Sequence, residues 1–168
     1  MRAWAAFSAA DPNSIVEVLK EDAPDLPYLQ GALLRHLEQF PSTRNGLSRT
    51  ECQILEIIEA SDARVGAIFR ADQGREQAMF MGALVFDTYI RRLANGRVPL
   101  VRISGDKNPF WNAEVAITLE GRAVVRSESD NLSLNGIDRW LGGVHLQGDH
   151  LWRWDSEHGK LQFGPPLG

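Results

Sequence analysis

The stretch PLVRISGDKNPFWNAEVAITLEGRAVV, residues 99–125, is where the chain changes its period. Pro99–Ile103 and Ala113–Ile117 are short strand-like runs. Between them, Ser104–Asn112 carries Gly105, Asp106, Asn108 and Pro109, the composition of a turn. Thr118 then stands as the capping residue of a short helix over Leu119–Arg126. A two-stranded hairpin running directly into a capped helix fixes the class of the fold only when joined to what precedes it.

Upstream the spacing is helical. Ser48 and Glu51 form a capping box, flanked by Leu47 and Cys52 as a hydrophobic staple, and Cys52, Leu55 and Ile58 form the buried stripe of the helix they open. Ser61 or Asp62 caps a shorter helix carrying Val65, Ile68 and Phe69, broken at Gln73-Gly74. A long helix is predicted from about Arg75 to Leu93, because Met79, Ala83, Phe86, Ile90 and Leu93 step by four and three. Asn95-Gly96 supplies its left-handed stop. Helical segments at 49–60, 62–71 and 75–94, followed by a hairpin between 99 and 117, match the plan of a winged helix-turn-helix.

Towards the N-terminus, Asp11-Pro12 and Asp25 read as the starts of two helices, the second carrying Leu26, Leu29, Leu33, Leu34 and Leu37 and ended by Phe40-Pro41. Towards the C-terminus, Val144–Leu146, His150–Asp155 and Lys160–Phe163 read as strands, with a loose GPPLG ending. The expected fold is α+β and predominantly helical, with a winged-helix-like core, an N-terminal helical pair and a C-terminal β-hairpin unit. The corresponding segments are 1–41, 42–128 and 129–168, packed as one compact globule.

Composition narrows the function classes. Of 168 residues 43% are hydrophobic, enough to bury a core and to exclude a disordered chain. The net charge of −4, with no run of Lys or Arg, argues against strong non-specific binding to nucleic acid or an anionic membrane. The lone Cys52 excludes an intrachain disulfide and fits a reducing, cytoplasmic compartment. No apolar run approaches the ~20 residues of a membrane span, and MRAWAAFSAA imitates a signal peptide less well than it leads into the Asp11-Pro12 helix start.

The stretches WAAFSAADP, HLEQFPSTRNGLSRTE, REQAMFMG, NGIDRWLGGVHL and LWRWD together resemble the C-terminal portion of a bacterial family, domain of unknown function 1835 (DUF1835). The resemblance covers nearly the whole chain. It implies the same architecture and points to the same loops, without the additional N-terminal α/β domain that family members carry. It implies no activity.

Two stretches carry the candidate chemistry. In NGIDRWLGGVHL, residues 135–146, Asp138, Arg139 and His145 form the candidate catalytic group, as proton shuttle and anion clamp, with Asn135 and Trp140 as ligand contacts. The competing and favoured reading is a structural clip: Asn135-Gly136 caps a short helix with Asp138 in its first turn, and Gly142-Gly143 closes it. In PSTRNGLSRTE, residues 41–51, Ser42, Thr43, Arg44, Asn45 and Arg49 precede a capped helix, where unpaired N–H groups and the helix dipole attract a phosphate. The competing reading is an ordinary turn at Asn45-Gly46. His145, His150 and His158, near Asp149 and Asp155, fit no standard zinc spacing, so no metal and no cofactor is expected.

A DNA-reading helix needs Arg, Lys, Asn or Gln in its N-terminal half. REQAMFMGALVFDTYIRR offers Arg75, Glu76 and Gln77, then a largely apolar run, with Arg91-Arg92 at its end; the wing adds only Arg102 and Lys107, beside Asp106. The expected function is therefore a non-catalytic interaction or regulatory module. Its partner is a protein or a second copy of the chain, or a phosphate-bearing ligand at the Arg44 loop. A DNA-binding regulator and an enzyme using Asp138, Arg139 and His145 are the alternatives.

Overall fold

The computed structural model describes residues 2–61, 63–105, 109–149 and 151–165. Asp62, Asp106, Lys107, His150 and the end of the GPPLG segment, all named above, lie outside the described residues. In chain order the elements are α1 (Arg2–Phe7), α2 (Asn13–Leu19), α3 (Leu29–Leu37), α4 (Arg49–Ala60), β1 (Ala63–Arg64), α5 (Val65–Gln73), α6 (Ala83–Asn95), β2 (Val101–Ser104), β3 (Glu114–Ile117), α7 (Leu119–Val125), α8 (Asn131–Asn135), β4 (Asp138–Leu141), β5 (Val144–Gln147), β6 (Leu151–Asp155) and β7 (Lys160–Gly164). The fold is α+β. The chain forms two compact units, one from Met1–Arg49 together with Asp130–Gly168, the other from Thr50–Ser129. Loop 42–48 thus belongs with the chain ends, not with the middle segment assigned to it from sequence.

The first unit packs α1, α2, α3 and α8 with two antiparallel hairpins, β4–β5 and β6–β7. Its core joins Ile15, Leu37 and Phe40 from the helical segments to Leu132, Leu146, Leu151 and Trp154. The expected helical pair is a trio, because Arg2–Phe7 closes a turn of its own before the Asp11 break. The next helix has Pro12 at its N-cap position and no side-chain cap there; Asp11 Oδ1 accepts from the N–H of its first residue, Asn13, at 3.0 Å. Asp25 does not start α3; the chain turns over 24–28, the helix begins at Leu29, and Leu26 stays exposed.

NGIDRWLGGVHL is not a capped helix. Asp130 caps α8, its Oδ1 accepting from the N–H groups of Leu132 (2.9 Å) and Ser133 (3.2 Å). Gly136, at φ 65°, ends that helix, and residues 138–147 form a hairpin. The reason is pairing: Asp138-Arg139-Trp140-Leu141 alternates in register with Val144–Gln147, Trp140 lying opposite His145. The turn sits against α1. Gly143 donates its N–H to the Phe7 carbonyl at 3.0 Å, and a Cβ there would lie 2.0 Å from the Ser8 oxygen.

His36 illustrates the balance of this unit. Its ring lies 4.9 Å from Phe7 and 5.9 Å from Phe40, and its Nε2 is buried without a hydrogen-bond partner. Burial therefore pushes its pKa below the usual imidazole value. The unfolded chain binds the proton more readily, so His36 leaves stability intact above the ordinary imidazole pKa and lowers it as the pH falls below. Between about pH 8 and about pH 5 the urea midpoint should fall further for the wild type than for His36→Phe. Equal falls in the two proteins would show that His36 does not sense the pH.

In the second unit a three-stranded antiparallel sheet, order β1-β3-β2, pairs Ala63 with Val115 and Ile103 with Val115 on its two sides. Ile54, Leu55, Ile58, Val65, Ile68, Phe86, Ile90 and Leu93 are buried, in the periodicity that defined the helices. Thr118 caps α7 as its position implies, its Oγ1 accepting from the Gly121 N–H at 2.9 Å. Three expectations fail. Ser61 does not cap the shorter helix, because Ala63–Arg64 pair with β3 and α5 begins at Val65, with Arg64 at its N-cap and no side-chain cap. The long helix begins at Ala83 and not near Arg75, because Gly82 is extended (ψ 162°) and residues 75–82 run as an irregular segment. Asn95-Gly96 is no left-handed stop either: Gly96 has φ −63° and ψ 166° and leads straight out of the helix.

Candidate functional site

The corner at residues 42–47 is consumed by architecture. Ser42 donates its N–H to Leu47 (2.8 Å), Thr43 donates to the Trp154 carbonyl (3.0 Å), and the Asn45 side chain accepts from the Leu47 N–H (3.2 Å). The Asn45 carbonyl accepts from Asn131 N–H at 2.8 Å. Gly46 turns at φ 71° against Asp130 and Leu132. The organising cation is Arg153 on β6, a residue that sequence reasoning missed. Its Nε and Nη2 donate to the Ser42 carbonyl at 3.1 and 2.7 Å, and Nη2 also pairs with Asp130 in a fully buried ion pair. Arg49 is held by Glu38 at 2.7 Å. Of the residues assigned to phosphate binding, only Arg44 presents an exposed guanidinium with no partner among the described residues.

The β4–β5 hairpin separates the second candidate group by face. Side chains alternate along a strand, so Asp138 and Trp140 share one face of β4 while Arg139 takes the other. Arg139 donates from Nη2 to the Gln39 carbonyl at 2.6 Å and is an internal fork. Asn135 donates to the Asn131 side chain at 2.9 Å, within α8. The three candidate catalytic residues therefore do not converge: Asp138 and His145 meet, and Arg139 leaves.

On the open face, His145 Nε2 lies 2.7 Å from Asp138 Oδ1, and Gln147 donates to Asp138 Oδ2 at 3.3 Å. The imidazole stacks flat on the Trp140 indole, centroids 4.5 Å apart and planes 5° from parallel. Trp140 is nonetheless 64% exposed. Beside it a cleft of about 270 Å³ is lined by Trp140, His145, Trp152 and Phe163 over Val144 and Leu151. Trp152 and Phe163 are direct cross-strand partners with ring centroids 5.1 Å apart. Sequence reading placed both residues on strands but not side by side, since their meeting depends on the β6–β7 register.

His158 is tied to Asp155, its N–H donating to Oδ1 at 3.1 Å and its Nδ1 lying 2.9 Å from Oδ2. Burial works to raise the Asp155 pKa, but these bonds and the charge of Lys160 outweigh it and hold the carboxyl below its usual range. Among the described residues no group of three or more His, Cys, Asp or Glu is placed to hold a metal ion. None of their helices is long and apolar enough to cross a membrane.

In the second unit, the start of α6 is apolar and open. Met79 and Leu84 are 81% and 82% exposed, and Phe80 and Val85 are exposed beside them. The cations nearby are engaged: Arg75 pairs with Glu56 at 2.7 Å, and Arg91 pairs with Asp87 at 2.7 Å while lying 4.0 Å over the Phe110 ring. Compared with known proteins, the chain matches no family model, no curated protein and no solved structure.

Proposed function

We propose that the chain is a non-catalytic interaction module whose middle unit is winged-helix-like and engages a protein through the start of α6. The order of α4, β1, α5 and α6 followed by the β2–β3 hairpin supports the winged-helix reading. One observation carries the functional one. Where a DNA-reading helix presents donors to base edges, α6 begins Ala-Leu-Val-Phe-Asp-Thr, with Met79, Phe80, Leu84 and Val85 facing solvent and Asp87 as the first charge. Exposed large apolar side chains gathered in one short stretch mark a protein-contact surface, and a helix whose first turns carry no cation offers phosphates no partner there.

Mobility shift with random-sequence duplex DNA separates the readings. No retarded band is expected even at low salt; a band that weakens steeply as salt rises would replace this proposal with a DNA-binding regulator. Sedimentation over a concentration series tests a second copy as the partner, with Leu84→Glu expected to hold the chain monomeric wherever the wild type associates.

A second reading, a phosphate-bearing ligand, draws its support from a cleft in the same unit and not from the Arg44 corner. This cleft, about 410 Å³, is lined by Arg91, Asn95, Arg102 and Phe110. Arg102 is exposed and has no partner among the described residues. Pyrophosphate should raise the melting temperature of the wild type and not of Arg102→Ala if that cleft holds the ligand.

A further inference from the structure

The aromatic cleft of the first unit carries a more specific chemistry than shape alone. Among the described residues that line it there is no Lys or Arg, the side chains that carry a fixed charge for an anion. A carboxylate donates nothing, so it is His145 Nε2 that donates the bond to Asp138. Asp138 itself stands at the edge of the Trp140 platform with one carboxylate charge, its two oxygens steadied by His145 and Gln147. Around these acceptors lie the π systems of Trp140, Trp152 and Phe163, and Phe163 is 59% exposed.

A proline-rich peptide would bring carbonyl acceptors to a site that already has acceptors. A purely apolar ligand would leave the carboxylate without use. Electron-rich ring faces beside a carboxylate, with no Lys or Arg among the described lining residues, complement a positive group sheathed in carbon. We propose that this cleft binds an alkylammonium head group, with N-bound methyl or methylene groups against Trp140 and Trp152 and the charge balanced by Asp138. The head group belongs either to a small free amine or to a methylated lysine side chain of a peptide. This inference stands independently of the α6 surface.

The test follows the five indole N–H resonances of the full-length protein during titration. Choline should shift the Trp140 and Trp152 signals saturably, and its uncharged carbon isostere should bind at least about tenfold more weakly. A trimethyl-lysine peptide binding more tightly than choline assigns the head group to a protein, and the reverse assigns it to a free amine; both support the site. Trp140→Ala should abolish the shift of the Trp152 signal. Asp138→Asn, which keeps the shape of the side chain, should weaken choline by about tenfold and leave the isostere unchanged. Equal binding of choline and its isostere, saturation by glucose in place of choline, or no saturable shift with any probe would each overturn the proposal.

Discussion

Arg153→Met should destabilise the first unit by about 3–5 kcal/mol, the largest single effect expected in this protein. The guanidinium is 4% exposed and its partner Asp130 is 7% exposed, so the pair is shielded from solvent. Methionine retains most of the packing volume but strands the Asp130 charge in the interior and takes both donors of the fork from the Ser42 carbonyl, which keeps only the Gly46 N–H. The loss is read as a lowered urea midpoint of the transition reported by Trp154, the neighbour of Arg153 on β6. Asp130→Asn in the same chain should recover part of it, since asparagine still caps α8 and leaves no unpaired charge. A shift below about 1 kcal/mol would mean that Arg153 reaches solvent, and the corner would lose its claim to be the clip of this unit.

The second large effect concerns one hydrogen atom. Gly143→Ala replaces it with a methyl group whose ideal position is 2.0 Å from the Ser8 carbonyl oxygen and 2.7 Å from that of Ala9. These are backbone atoms of the segment after α1, so no side-chain rotation relieves the clash. Either the hairpin turn lifts away and loses the Gly143–Phe7 hydrogen bond, or α1 moves off its seat over the Ala6 and Ile15 part of the core. The expected cost is about 3 kcal/mol, measured by thermal or urea unfolding. Gly164→Ala, which meets nothing within 4 Å, is the matched control and should be close to neutral. If the two substitutions behaved alike, the close approach of turn and helix would be wrong.

Local signals were legible in the sequence and long-range ones were not. The Thr118 cap, the break at Gln73-Gly74 and the two sheet strands at 99–117 rest on a few adjacent residues, and the structure has them. The start of α6 failed because Met79 continues the helical spacing into a segment where Gly82 is extended; periodicity reports which residues are apolar, not where the backbone bends. The strand β4 failed for a different reason. Asp-Arg-Trp-Leu has no strong strand preference, and its conformation is set by Val144–Gln147 across the turn.

The same division runs through the candidate sites. Asp138, Trp140 and His145 were named together and do share a face. Arg139 was named with them because it is adjacent in sequence, and adjacency in a strand means opposite faces. Arg153 and Asp130 stand 23 residues apart with nothing in either neighbourhood to announce the partner. Phe163 entered only through its register with Trp152. Sequence reading put Arg139 in the candidate catalytic group and passed over Arg153, whereas the structure ties both to backbone carbonyls of the segment around Pro41.

The division at Arg49 and Asp130 has a temporal meaning. The second unit is one continuous run, so every residue it requires has been synthesised once Ser129 is added. The first unit has α1 to α3 in hand before the second unit is made but lacks Leu146, Leu151 and Trp154 until after it. Ile15, Leu37 and Phe40 therefore wait without their partners while the inserted unit matures, a delay in which a nascent chain is open to chaperones and proteases.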